Sequence, residues 1–335
     1  MNSIIKAISF ALPSKKLTNE ELNLEFPEWS AEKISSKTGI FERSICSNDE
    51  FASDLAIRAA NKLFEENNLD KNQIDFLLYC TQSPDYFLPT TSCIIQNKLG
   101  LRTNCGAFDF NLGCSGFVYG LSIAKGLIVS KSAKNVLLIT AETYSKFLNK
   151  FDKSNRSIFG DGAAATLISN SSDLNLGIGD FIFGTDGSGA NNLIVKNGAG
   201  RFPQKQGVDL FEGAEFIRND DNLFMNGQEI FKYTTSSIPD LVSECLSVNE
   251  CNIDEINLFV FHQANKFMLD YIRRKLKIDD SKFYINIENT GNTVSSTIPI
   301  AIAELIKQNK IKKGMKILLA GFGVGYSSAA TIVKF

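Results

Sequence analysis

Two stretches of this chain, far apart in sequence, follow one plan. In the first, Leu69-Asp70-Lys71-Asn72-Gln73-Ile74-Asp75 runs into the strand-like segment FLLYC (76–80); in the second, Cys251-Asn252-Ile253-Asp254-Glu255-Ile256-Asn257 runs into LFVFH (258–262). Each is followed by a glycine, a polar residue and a helical run, Gly113-Cys114-Ser115 and Gly291-Asn292-Thr293. Each then reaches another β-rich run, NVLLITAE (135–142) and KILLAGFG (316–323). A repeated order of strand, Gly-X, helix and strand implies two units that fold alike and pack against each other. It divides the chain into halves of residues 1–170 and 171–335.

The helical runs after the two glycines are apolar nearly all round. Phe117, Leu121, Ala124, Leu127 and Ile128 recur at helical spacing, as do Ile298, Ile302, Leu305 and Ile306, with Pro299 near the second start, where proline is tolerated. Helices with so few charges belong between two sheets. Segments 54–68 and 229–248 read as amphipathic surface helices, and residues 185–222, with TDGSGANN, NGAG and NDDN, as an irregular excursion. The β runs are continuous rather than alternating, as in sheets covered on both faces. The expected fold class is α/β, duplicated halves forming a layered α-β-α-β-α sandwich.

Bulk composition excludes several function classes. Lys plus Arg number 35 and Asp plus Glu 37, which gives no global attraction to nucleic acid or to an anionic membrane. The cysteines are seven, scattered and without a CxxC pair, which argues against a disulfide framework and against a zinc site; no metal is expected. The apolar start, which reads as a short strand ending at Pro13, is too short for a signal segment, and no long apolar run occurs elsewhere. A soluble cytoplasmic protein with reduced thiols is the expectation.

There is one histidine, His262, so any imidazole chemistry must use it. If the halves are related by a pseudo-twofold axis, Cys114 and Asn292 occupy equivalent places, each at the N-terminal end of a buried helix. His262 ends the strand equivalent to the one ending at Cys80. A helix N-terminus offers free N–H groups and positive partial charge, which would lower a thiol pKa and could hold an oxyanion. His262 can donate a hydrogen bond or move a proton, whereas Asn292 can only hydrogen-bond. The turn GFGVG (321–325) can bring its backbone close to a substrate. Singly, each element has a plain structural reading: a cysteine between glycines is more often core, GFGVG has no following helix or acidic partner to make it a nucleotide site, and FGDGAAA (159–165) can be a turn and a packed strand. The joint pattern favours a site.

Together GCSGF with Cys114, FGDGAAA, HQAN (262–265), GNT (291–293) and GFGVG resemble, in order and spacing, the condensing enzymes of the thiolase superfamily, and most of all the β-ketoacyl-ACP synthase III group. KTGIFER (37–43), MNGQEIFK (225–232) and the terminal TIVKF match as well, so the resemblance spans essentially the whole chain. It implies a thiolase-like fold and a homodimer. It implies that an acyl thioester acylates Cys114, that malonyl-acyl carrier protein then decarboxylates, and that the resulting carbon nucleophile attacks the acyl group in a ping-pong reaction. His262 and Asn292 would stabilise the enolate oxygen, and the backbone of Cys114 with the Gly321–Val324 turn, Gly323 and Val324 in particular, the tetrahedral oxyanion. No cofactor is implied; CoA or an acyl-carrier thioester is the substrate. The second cysteine of biosynthetic thiolases is missing from GFGVG, which favours decarboxylative condensation.

The resemblance also assigns substrate contacts. Gly227 and Asn265 match positions lining the pantetheine tunnel, with Phe322 among the substrate-binding residues. Leu88 matches the residue that reaches into the partner subunit's acyl pocket. In the family a tryptophan and an arginine flank the CoA adenine; Lys33 and Lys37 stand there, and Lys153 replaces a second arginine. Lysine keeps the charge but loses planar stacking, which puts adenine recognition in question and points to a carrier-bound donor as readily as to acyl-CoA. A basic residue beyond HQAN that helps to dock the carrier protein is replaced by Phe267, next to Lys266. Two other functions fit the same residues less well: an acyltransferase that passes the acyl group to an amine or hydroxyl without decarboxylation, and a non-catalytic partner subunit, which would have no chemical need for Cys114, His262 and Asn292 together.

Overall fold

The computed structural model describes residues 2–335. The principal strands are β1 (Asn2–Ala11), β2 (Phe76–Cys80), β3 (Gly106–Phe110), β4 (Asn135–Glu142), β5 (Gly162–Ser171), β6 (Gly177–Thr185), β7 (Leu258–Phe261), β8 (Lys316–Gly323) and β9 (Ser327–Lys334). The principal helices are α1 (Ala31–Thr38), α2 (Ala52–Glu66), α3 (Thr91–Leu99), α4 (Gly116–Val129), α5 (Gly227–Val248), α6 (Lys266–Lys275) and α7 (Thr297–Lys307).

The repeat in the sequence is a repeat in topology. One sheet has the order β1-β5-β4-β2-β3, the other β6-β9-β8-β7. In both, the strand that follows the Asp-Ile-type turn (β2, β7) runs parallel to the strand after the buried helix (β4, β8), which then pairs antiparallel with the next (β5, β9). Even the missing fifth strand leaves a trace: Phe283 makes a single parallel bridge to Phe259 where the first sheet has β3. The two sheets divide the chain between the end of β5 at Ser171 and the start of β6 at Gly177.

Helices α4 and α7 lie between the sheets, α2 and α3 cover the outer face of the first, and α5 and α6 that of the second. This is the five-layer arrangement the patterning called for. Phe117, Val118, Leu121, Ala124 and Ile128 of α4 meet Ile298, Ala301, Ile302 and Leu305 of α7 in one buried core with strand residues of both sheets. Burial on every side is what removes charge from these helices. Ile306 departs from the expected face: it is 40% exposed, because α7 reaches the surface in its last turn.

One expected boundary shifts. Asn292 does not open α7; a 3-10 turn over Val294–Ser296 intervenes and the helix begins at Thr297. Pro299 gives the reason. Carrying the α-helix back to Asn292 would place proline in its interior, where it has no N–H to donate and its ring strikes the preceding turn. The Asn292 side chain takes over the chain's capping work, its Oδ1 accepting from the Val294 N–H at 2.8 Å. Among the described residues no helix is long and apolar enough to cross a membrane.

Candidate active site

Cys114 sits immediately ahead of α4, where the chain leaves β3. It is 6% exposed and lines a cavity of about 140 Å³ together with His262, Asn292 and Phe322. The strand ends of both sheets therefore converge on one point, as the pseudo-symmetry required. A second, larger cavity of about 760 Å³ lies beside it, and Leu193 belongs to the walls of both. Its walls include Phe87, Phe147 and Leu223, with Val324 of the GFGVG turn.

The GFGVG turn is packed onto Cys114 from the second sheet. A Cβ on Gly323 would lie 2.7 Å from Cys114 Sγ, so only glycine permits this approach. The Val324 and Cys114 backbone N–H groups lie near enough to the thiol to lower its pKa. The thiol itself behaves differently from expectation. Burial pushes it up to about 12, Val324 and Cys114 N–H pull it down, and the nearby Glu142 raises it further. Desolvation of the charged form outweighs the helix terminus here, so the resting residue is a thiol and needs a proton acceptor as substrate binds.

His262 lines the same cavity. His262, just past the end of β7, is buried, and burial lowers its pKa to about 3, offset only in part by a hydrogen bond to the Val294 backbone. It is a neutral imidazole with one lone pair. Its Nδ1 lies 2.8 Å from Thr297 Oγ1, which also reaches the Val294 carbonyl at 3.0 Å. The Thr297 hydroxyl therefore selects the tautomer. Donating to Val294, it leaves the proton on Nδ1 and the lone pair on Nε2; donating to Nδ1, it leaves Nε2–H. On the other side Asn292 Nδ2 stands 3.4 Å from His262 Nε2 and 3.4 Å from the Ala264 carbonyl.

Asn292 is held from behind by the FGDG segment. Its N–H donates to the Ile158 carbonyl at 2.9 Å and its carbonyl accepts from the Gly160 N–H at 3.0 Å. A Cβ on Gly160 would fall 2.3 Å from the Thr290 carbonyl oxygen, so the segment can lie this close only with glycine at 160. The buried Asp161 carboxylate accepts from the Cys46 N–H at 2.7 Å and the Ser145 N–H at 2.9 Å. FGDGAAA is indeed a turn and a packed strand, and that turn positions a site residue.

Of the residues assigned to substrate, Gly227, Asn265 and Phe322 line the Cys114 cavity. Asn265 Oδ1 also caps α6, accepting from Met268 N–H at 2.9 Å. Lys37, Lys153 and Leu88 do not line it. Lys37 and Lys33 both hold their ammonium groups over the Trp29 ring, at 4.8 and 4.9 Å from its centroid. Trp29, the only tryptophan, stands one helical turn before Lys33. Lys153 pairs with Glu28 at 3.1 Å. Leu88 is 83% exposed on the same tip as Tyr86 and Phe87. Phe267 is exposed and stacks on Phe231 at 5.6 Å, while Lys266 pairs with Asp270. Sequence reading missed Trp29, Thr297 and Glu142. Trp29 was detectable as the lone tryptophan ahead of a helix, and Glu142 as the single charge ending the apolar run NVLLITAE.

Comparison with known proteins places these features in context. The family model for 3-oxoacyl-[acyl-carrier-protein] synthase III matches residues 108–187, and that for the C-terminal part of the same enzyme matches residues 246–335. A beta-ketoacyl-[acyl-carrier-protein] synthase III of Clostridium perfringens is 39% identical over 331 residues, 98% of each chain. A crystal structure of a 3-oxoacyl-(acyl-carrier-protein) synthase III superposes with a TM-score of 0.97 at 46% identity and covers all of both chains. That of a 3-oxoacyl-(acyl-carrier protein) synthase from Burkholderia xenovorans LB400 gives 0.89 at 32% identity, covering 100% of this chain and 94% of the other. The thiolase-like fold expected from the sequence is the fold of these neighbours.

Proposed function

The chain belongs to the 3-oxoacyl-[acyl-carrier-protein] synthase III family, and on that premise we propose how its residues carry out a decarboxylative condensation of fatty acid synthesis. The observation that carries the reading is the meeting of Cys114, His262 and Asn292 in one cavity, with the Gly323 turn packed on the sulfur.

In the first half-reaction Cys114 attacks the carbonyl of an acyl thioester. The thiol proton passes to the Nε2 lone pair of His262, the tetrahedral oxyanion takes the N–H groups of Cys114 and Val324, and the departing thiolate recovers the proton. The acyl chain extends into the adjoining apolar cavity. In the second half-reaction malonyl-carrier thioester loses carbon dioxide. The electron pair released from the broken C–C bond forms the enolate, whose oxygen is stabilised by Asn292 Nδ2–H and by His262 Nε2–H; between the half-reactions the imidazole exchanges its Nδ1 proton for one on Nε2 through water, and Thr297 then donates to Nδ1. The enolate carbon then attacks the acyl-Cys114 carbonyl, the sulfur leaves and takes up a proton, and a β-ketoacyl-carrier thioester is released. Two covalent half-reactions replace one difficult step. No resident cofactor enters this scheme; the thioester is substrate.

The reading extends to assembly and location. The exposed tip Tyr86-Phe87-Leu88 is an apolar projection that a second copy would bury, which supports a homodimer. Function with an acyl carrier protein fits a cytoplasmic protein. Whether the donor is acyl-CoA or acyl-carrier protein turns on the Trp29, Lys33, Lys37 and Lys153 region, where the cations already have partners in Trp29 and Glu28. The test is carbon dioxide release from malonyl-carrier protein by acylated enzyme. Stoichiometric release with loss of the acyl adduct supports condensation; transfer of the acyl group to an amine or hydroxyl without release would replace it with the acyltransferase reading.

A further inference from the structure

Behind the nucleophile lies a buried carboxyl group that the proposed reaction does not use. Glu142 ends β4 with no exposure to solvent. Its Oε2 accepts from the Gln82 N–H at 3.0 Å and from Ser83 Oγ at 3.3 Å, and its Oε1 lies 2.8 Å from Ser295 Oγ. Gln82 and Ser83 form the wall of the larger cavity, and Ser295 belongs to the turn that follows Asn292. Ser295 and Cys80 meet at Gly116, where a Cβ would lie 2.3 Å from Cys80 Sγ and 3.6 Å from Ser295 Cβ, and the Cys80 thiol donates to the Leu112 carbonyl at 3.2 Å in the loop that carries Cys114. One network therefore joins the acyl-cavity wall, the Asn292 turn and the nucleophile loop, and Glu142 stands at its centre.

Among the described residues no cation faces this carboxyl. The titratable groups around it are Tyr79 and Cys80 on β2, Cys114 ahead of α4, Tyr144 just after β4 and Asp161 just before β5, all neutral or acidic. An unpaired charge in such a place is costly, whereas a neutral acid keeps every contact: Oε2 accepts from Gln82 and Ser83, and Oε1 carries a proton on the side of Ser295 Oγ. Burial accordingly lifts the group to about 8, against the pull of Ser295, Gln82 and Ser83.

We propose that Glu142 is a positioning residue that works as a neutral carboxylic acid: it ties the Gln82–Ser83 wall to the Asn292 turn and keeps negative charge away from Cys114 while the thiolate forms. Ionised Glu142 would set a second negative charge against the sulfur in a medium of low dielectric, and thiolate formation would be suppressed. The inference rests on the reading of Cys114 as the nucleophile, but its test needs no acyl donor.

Alkylation by iodoacetamide, read at the Cys114 peptide by mass spectrometry, separates the two. Full-length wild type and Glu142→Gln are compared from about pH 6 to about pH 10. Glutamine with its oxygen toward Gln82 and its amide toward Ser295 reproduces the neutral acid. The two rates should agree within about two-fold near pH 6; above about pH 8 wild type should fall behind, reaching roughly a ten-fold deficit, one pKa unit of the thiol. Superposed profiles, or a variant slower by a constant factor at every pH, overturn the proposal. If Glu142→Gln does not fold, the wild-type profile decides: a break to a shallower rise near about pH 8 supports it, and one unbroken rise overturns it.

Discussion

Gly160→Ala is expected to uncouple the two half-reactions. The added methyl would lie 2.3 Å from the Thr290 carbonyl oxygen, 3.2 Å from the Ser44 carbonyl oxygen and 3.3 Å from Arg43 Cβ. Two of these three neighbours are backbone, so no rotamer change relieves the contact. Ordinary contact begins at 3.4 Å, so the Thr290 segment must retreat by roughly 1 Å. That segment carries Asn292, which is bonded on both sides to the Ile158–Gly160 strip. A forced shift of this kind costs about 1–3 kcal/mol of stability. A displacement of about 1 Å in a positioned catalytic group costs on the order of 100-fold in rate. Cys114 is held instead by the Gly323 turn, and the atoms a Gly160 methyl would strike belong to Thr290, Ser44 and Arg43. Acylation of Cys114, followed by intact mass, should therefore stay within about three-fold of wild type, while carbon dioxide release from malonyl-carrier protein falls about 100-fold. Equal loss in both half-reactions, or no loss in decarboxylation, would refute the separation of a Cys114 unit from an Asn292 unit.

Other outcomes follow from the same geometry. His262→Ala should still acylate Cys114, more slowly, but release no carbon dioxide from malonyl-carrier protein; condensation at the wild-type rate would exclude the enolate role. Thr297→Val removes the hydroxyl that selects the His262 tautomer and should lower decarboxylation by roughly 10–100-fold, with malonyl-carrier KM little changed, read in steady-state kinetics. Stability should also depend on His262. Its folded pKa, about 3, lies below the unfolded value of about 6.5, so the unfolded chain binds the extra proton between these values. Stability is thus full above about pH 6.5 and falls as pH drops toward 3, and chemical denaturation of His262→Gln should show a smaller acid loss.

The repeat made much of this legible. Because Gly113-Cys114 and Gly291-Asn292 recur at matched points, and because His262 ends a strand whose counterpart ends at Cys80, the sequence alone brought Cys114, His262 and Asn292 together. Apolar periodicity placed α4 and α7 between the sheets. What it did not convey depends on three-dimensional closeness. The thiol was expected to be acidified by α4, but the extent of its desolvation is set by Phe322 and Gly323 on the far sheet. Thr297 and Glu142 are ordinary polar residues in their own segments; only packing aligns them with His262 and Ser295. Trp29 lies one turn ahead of Lys33, outside the motif spacing, and only the folded chain shows its ring beneath both Lys33 and Lys37.

The most direct test of the account is intact mass spectrometry of the full-length protein incubated with acyl-CoA and acyl-carrier thioesters and then chased with malonyl-carrier protein. The account predicts an acyl adduct on Cys114, absent in Cys114→Ala, that disappears as β-ketoacyl-carrier thioester and carbon dioxide appear in equal amounts. An adduct that forms and persists through the chase, or no adduct with any donor, would contradict it.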